Sequence, residues 1–325
     1  MDSEIAQELL PLVRVYKDGR VERLLGTDTV PAGVDPLTGV LSKDVTGVIP
    51  GNEEVYVRIY LPDIQNLEKL PLLVYFHGGG FCLSTPAAPL YHSYLNKLVA
   101  EARVVAVSVH YRRPPEHPLP TAYEDSWAAL QWAVSHANGE GPEPWLNNHA
   151  DFGRVFLSGE SAGANIVHNL AMVAGNPGSG GLQGVDILGV ALVHSYFWGS
   201  DPIGSEALDP DRRATVDRLW AFVCPSNPDN DDPRVNPVGD GAPSLSGLGC
   251  RRALVCVAEK DVMRDRGWMY FQELGRSGWT GVVEIHETEE EDHAFHLHNL
   301  DSERAACLIR RLAAFLNRDM PPPPI

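Results

Sequence analysis

The chain has few cysteines, and they form no pattern. Cys82, Cys224, Cys250, Cys256 and Cys307 are scattered and odd in number. No spacing among them matches a zinc knuckle or a disulfide framework. Cys82 and Cys256 stand among apolar neighbours and read as core residues, so a reduced, intracellular setting is expected. Long apolar runs are missing too. No uninterrupted stretch reaches membrane-spanning length, and the acidic opening Met1-Asp2-Ser3-Glu4 differs from the basic start of a secretory leader. Base is scarce: 26 Lys and Arg face 43 Asp and Glu, a formal net charge of −17. That disfavours nucleic acid, which rewards basic surface, and anionic membranes. The expectation is a cytoplasmic protein with neither nucleic acid nor membrane as partner. His293, His296 and His298 crowd together, but no further ligand cluster accompanies them. Zinc hydrolases carry tighter signatures such as H-E-x-x-H. No metal and no cofactor are expected.

What is present is a set of glycine-rich turns in a particular order. Gly159-Glu160-Ser161-Ala162-Gly163 follows the apolar run Val155-Phe156-Leu157 and precedes a helix-like run from Ala164 to Val173. Strand, tight turn and helix are the context of a nucleophile elbow. The turn leaves no room for side chains at 159 and 163. The helix behind it aims N–H groups and a partial positive charge at the Ser161 hydroxyl. Upstream, His77-Gly78-Gly79-Gly80 follows the strand-like Leu72 to Phe76. Acyl transfer builds charge on a carbonyl oxygen, and donors must point at it. The expected donors are the N–H groups of Gly79, Gly80 and Ala162.

A serine nucleophile needs a base, and the base an orienting acid, in the chain order Ser, acid, His for this arrangement. Asp261 lies just past the strand-like Ala253 to Ala258, on the edge where the acid belongs. Glu259, inside the strand's end, is the weaker choice. His293 ends a polar loop after the strand-like Gly281 to His286, and is read as the base. His286 falls within a strand pattern, and His296 and His298 in a helical turn after an aromatic, so His293 is preferred. Phe81, Tyr196, Phe197, Trp198 and Trp220 are candidates to line an apolar acyl or alcohol pocket. The acidic run Glu289 to Asp292 is a candidate to favour the protonated His293.

Along the chain, strands read at 55–61, 72–76, 104–109, 154–157 and 187–193 alternate with helices at 121–136 and 164–173. This implies an α/β fold with a mostly parallel central sheet flanked by helices. At 325 residues and 44% hydrophobic content, one domain over 1–319 is expected. Residues 1–45 look distinct: Glu4 to Leu12 has helical apolar spacing, and a hairpin is expected around Asp18-Gly19. Residues 195–249 hold proline-rich turns and one helix-like run, Asp211 to Val223. Both segments are read as a cap over the pocket, and the proline-rich 320–325 as a loose tail.

The combined motifs resemble the plant carboxylesterases of the hormone-sensitive-lipase-like group in the α/β-hydrolase superfamily. The matching residues are His77 to Phe81, Tyr111 to Pro120, Tyr123-Glu124-Asp125, Gly159 to Asn165, Tyr196-Phe197-Trp198, Asp232 to Pro237, Glu259-Lys260-Asp261 and Asp292 to Phe295. The resemblance implies an α/β-hydrolase fold with a cap and a Ser161, Asp261, His293 triad. It also implies a serine esterase acting on small carboxylic esters. Gibberellin receptors of the same family have lost the base histidine, which is present here. The 2-hydroxyisoflavanone dehydratases carry Thr in place of Ser161. These two activities are the alternatives. One departure is Ser195, where relatives often have proline.

Overall fold

The computed structural model describes residues 4–64 and 68–318, so the tail at 320–325 lies outside the described residues. The strands in chain order are β1 (Ile5–Leu9), β2 (Val13–Tyr16), β3 (Val21–Arg23), β4 (Leu41–Val45), β5 (Tyr56–Leu61), β6 (Leu70–Phe76), β7 (Val105–His110), β8 (Ala150–Glu160), β9 (Ile187–Val193), β10 (Cys250–Ala258) and β11 (Val282–Thr288). The helices are α1 (Pro89–Ala102), α2 (Thr121–Val134), α3 (Pro144–His149), α4 (Ala162–Gly175), α5 (Pro210–Val223), α6 (Arg264–Arg276), α7 (Phe295–His298) and α8 (Glu303–Asn317).

Strands β4 to β11 form an 8-stranded sheet in the order β11-β10-β9-β8-β6-β7-β5-β4. All pairs from β11 to β7 are parallel. Only β5 runs against its neighbours. Side chains alternate between two cores, as the period of two along a strand requires. In β10, Ala253, Val255 and Val257 join one cluster, and Leu254, Cys256 and Ala258 the other. Helices α2, α4 and α6 cover the first face, and α1 and α8 the second. This double cover explains why strands such as β6 are buried from end to end. The strand order reverses between β6 and β8. Open parallel sheets form crevices at such a point, outside the carboxyl ends of the strands.

Two expectations about the amino-terminal segment need correction. Glu4 to Leu12 is not helical: β1 pairs antiparallel with β2, Leu9 opposite Val13. Pro11 stops a helix before it completes two turns. All of β1 except Leu9 is exposed, so a helical apolar face there would have had nothing to cover. Leu41–Val45, read with residues 1–45 as part of a cap, is instead the edge strand of the main sheet. The hairpin around Asp18-Gly19 is present as β2 and β3.

Candidate active site

The elbow geometry follows from the two glycines. Ser161 has φ 54° and ψ −116°, a strained conformation for a residue with a side chain. A Cβ on Gly163 would lie 1.9 Å from the Phe76 carbonyl oxygen, and one on Gly159 2.4 Å from the Gly163 carbonyl carbon. The backbone around Ser161 is tied to the next strand. Its N–H donates to the Val193 carbonyl (2.9 Å), and its carbonyl accepts from Tyr196 N–H (3.1 Å).

Two parallel strand ends, those of β10 and β11, deliver the remaining groups. Asp261 follows β10 and is 2% exposed. One of its oxygens accepts from Met263 N–H at 2.9 Å. The other accepts from His293 Nδ1 at 2.7 Å. The opposite ring nitrogen, Nε2, lies 2.9 Å from Ser161 Oγ. The loop carrying His293 is pinned by Asp292, which accepts from His293 N–H at 2.6 Å and is ion-paired with Arg212 of α5. Arg212 also donates to the Lys260 carbonyl (3.1 Å), so one side chain holds both loops. Glu259 turns away and accepts from Glu290 N–H.

Burial alone would lower the basicity of His293, but the carboxylates of Asp261, Glu160 and Asp292 outweigh it and push its pKa up to about 9. His293 holds Asp261 below its usual range against the opposing effect of burial. The run Glu289 to Glu291 is not the cause: Glu290 and Glu291 pair with Arg304 instead. Asp292 is the member of that run that acts on the ring.

Sequence reasoning missed Glu160, whose Oε1 lies 3.4 Å from His293 Nε2. An acidic residue between Gly159 and Ser161 was the available signal.

The loop from His77 is stiffened by a stack. The His77 ring lies flat on Tyr111, with centroids 4.4 Å apart, and the Tyr111 hydroxyl donates to the His77 carbonyl at 2.8 Å. Gly79 and Gly80 line a cavity of about 370 Å³ together with Ser161 and His293. Its remaining walls are mainly aliphatic. Leu9, Leu10 and Leu12 come from the β1–β2 region, Val216 and Leu219 from α5, and Leu83, Met263 and Leu297 from the body. No Lys or Arg among the described residues lines it.

The five aromatic candidates are not among the lining residues. Phe81, Tyr196, Phe197, Trp198 and Trp220 are all buried. Phe81 packs edge-on against Tyr196 and Trp220, behind the cavity wall. These rings belong to the buried core, and flexible aliphatic chains face the open space. His296 is buried edge-on to Tyr94, and His298 reaches the cavity.

Comparison with known proteins follows the same lines. A family model described as α/β hydrolase fold matches residues 73–297. Probable carboxylesterase 2 of Arabidopsis thaliana is 49% identical over 316 residues, covering 97% of both chains. The chain belongs to the plant carboxylesterases of the hormone-sensitive-lipase-like α/β-hydrolase group. These are carboxylic ester hydrolases. A 2-hydroxyisoflavanone dehydratase of Glycine max is 47% identical over 322 residues, covering 97% of this carboxylesterase and all of that protein, 100%. Among solved structures, an esterase of Pyrobaculum calidifontis superposes with a TM-score of 0.70 at 26% identity, covering 85% of this chain and 84% of its own. No helix among the described residues is long and apolar enough to cross a membrane.

Proposed function

We propose that this carboxylesterase hydrolyses small, uncharged, short-acyl carboxylic esters through Ser161, His293 and Asp261. The observation that carries the reading is the continuous contact from Asp261 through His293 to Ser161, at 2.7 and 2.9 Å. Ser161 Oγ attacks the ester carbonyl while His293 Nε2 takes its proton. Asp261 fixes the ring through Nδ1–H and stabilises the charge it gains. The N–H groups of Gly79, Gly80 and Ala162 receive the oxyanion. His293 then protonates the departing alcohol, and water activated by the same nitrogen releases the acid.

The aliphatic cavity, lined by no Lys or Arg among the described residues, suits a neutral apolar ester rather than an anionic one. Residues before β4 together with α5 form the cap over it. The cytosol is the proposed location, since all five cysteines are free.

Ser161→Ala is expected to remove hydrolysis of p-nitrophenyl acetate and butyrate; substantial retained activity would refute the assignment. The dehydratase relative supports a second reading, removal of water from a flavonoid-like 2-hydroxy compound. Assaying wild type and Ser161→Ala against both substrate types separates the two. Water elimination that survives the substitution, with no ester turnover in wild type, favours the second.

A further inference from the structure

Glu160 occupies the variable place in the elbow, yet its side chain is 3% exposed and sits inside the site. Its Oε1 faces His293 Nε2 at 3.4 Å, the same nitrogen that faces Ser161. Its other oxygen, Oε2, accepts from the Tyr91 hydroxyl at 2.8 Å. That hydroxyl in turn accepts from Gly78 N–H, at 3.0 Å, where the oxyanion loop begins. The approach is close: a Cβ on Gly78 would lie 2.2 Å from Glu160 Oε2. Glycine at 78 therefore makes room for a carboxylate, besides shaping the loop.

We infer that Glu160 is a third carboxylate acting on His293, beside Asp261 and Asp292, placed on the nitrogen that exchanges the proton, and that Tyr91 couples it to the oxyanion loop. This rests on the triad reading. Asp261 stabilises the imidazolium from Nδ1, and Glu160 does so from the reacting side. No bond is made or broken at Glu160. It acts through His293 and is a positioning residue, with no contact to the ester required. An unpartnered carboxylate this deep would be costly. The Tyr91 hydroxyl and the ring are the two groups that favour its charged form, against burial, which raises its pKa.

The charged groups facing His293 are Asp261 after β10, Glu160 from β8, Asp292 in its own loop and Arg212 from α5 beyond Asp292. The His194 ring, after β9, lies 5.8 Å from that of His293, and burial lowers its pKa well below the usual range. His296 of α7, whose pKa burial lowers to about 3, is also neutral. The carboxylates therefore set the ring's basicity, and removing one has a defined direction.

The test is the pH dependence of kcat/KM for p-nitrophenyl butyrate in Glu160→Gln, Glu160→Asp and Tyr91→Phe. Gln still accepts from Tyr91 but carries no charge. Its acid limb is expected to move down by about one unit or more, with kcat on the alkaline plateau lowered about tenfold and KM little changed. Glu160→Asp keeps the charge and is expected to hold the limb near the wild-type position. Tyr91→Phe weakens the ionised form and is expected to move the limb in the same direction as Gln, by less. A merely structural role lowers activity in all three and leaves the limb where it was, and that result overturns the inference. Should Glu160→Gln fail to fold, an unmoved limb in Tyr91→Phe overturns it alone. Ser161→Ala run alongside separates the levels. If it retains activity, the triad reading fails; if it is dead and the limb stays put, only the role of Glu160 fails.

Discussion

At the carboxyl edge of the sheet, Ser161 and Asp261 are each fixed by backbone bonds within three residues of a strand end. His293 is held by two carboxylates and a pinned loop. Across the cavity, Leu9 to Leu12, Val216 and Leu219 meet the open space with aliphatic chains on a short ribbon and one helix. The first region is over-determined, and the second is held by packing and by Arg212, Arg213 and Glu206. Buried Glu206 joins α5 to α6 by accepting from both Arg213 and Arg266. The contrast separates two tasks. Chemistry depends on a few atoms placed to within tenths of an ångström. Acyl selection depends on the volume left between side chains that can repack.

That division can be broken by substitutions on either side. Asp261→Asn should lower kcat about 10⁴-fold by removing the acceptor that sets the ring tautomer, with Tm nearly kept. A loss below about tenfold would mean the edge is less strictly determined than the geometry suggests. For wild type, a base must be neutral to accept a proton. With the pKa of His293 raised to about 9, kcat/KM should climb from pH 6.5 towards pH 9 and then level. A limb near 6.5 would mean the carboxylates do not act on the ring.

On the α5 side of the cavity, Leu219→Ala should act on chain length instead. Leu219 lies against the glycine loop that follows His77, where a Cβ on Gly80 would meet its Cδ1 at 3.2 Å. We expect butyrate and hexanoate esters to change by about tenfold relative to acetate, with acetate turnover nearly constant. Equal changes for all three would place Leu219 in the chemistry. Smallest of all, Trp220→Phe should leave acyl preference untouched. It should cost about 1–3 kcal/mol of stability through the lost Nε1–H bond to the Asn227 carbonyl. A shift in acyl preference would bring the buried aromatics back as pocket determinants.

The sequence reading succeeds where a local requirement is severe and fails where packing decides. Ser161, Asp261 and His293, named from the sequence, lie in one hydrogen-bonded series with His293 in reach of both others, and each sits in a short segment with a narrow choice of residue types. Strand β9 was read with its observed limits, 187–193, since a strand buried on both faces is a plain apolar run. The ribbon β1 was misread because Ile5, Leu9 and Leu12 satisfy a helical period by chance, while its real partner is β2. The edge strand β4 went unread: Leu41-Ser42-Lys43-Asp44-Val45 is mostly polar, and only pairing with β5 makes it a strand. The five aromatics were read as candidates to line an apolar pocket, but they are buried core residues. Their burial against one another depends on contacts between distant segments, which periodicity does not report. Glu160 was hidden for the opposite reason. Its place in the motif tolerates any residue, so only its distance to His293 reveals it.

The most direct test of the central arrangement is labelling with a fluorophosphonate, followed by peptide mass spectrometry. The expected result is one adduct, on the peptide containing Ser161, absent in Ser161→Ala and formed at least about 100-fold more slowly in His293→Ala. Label on another residue, or undiminished labelling without His293, would contradict the account.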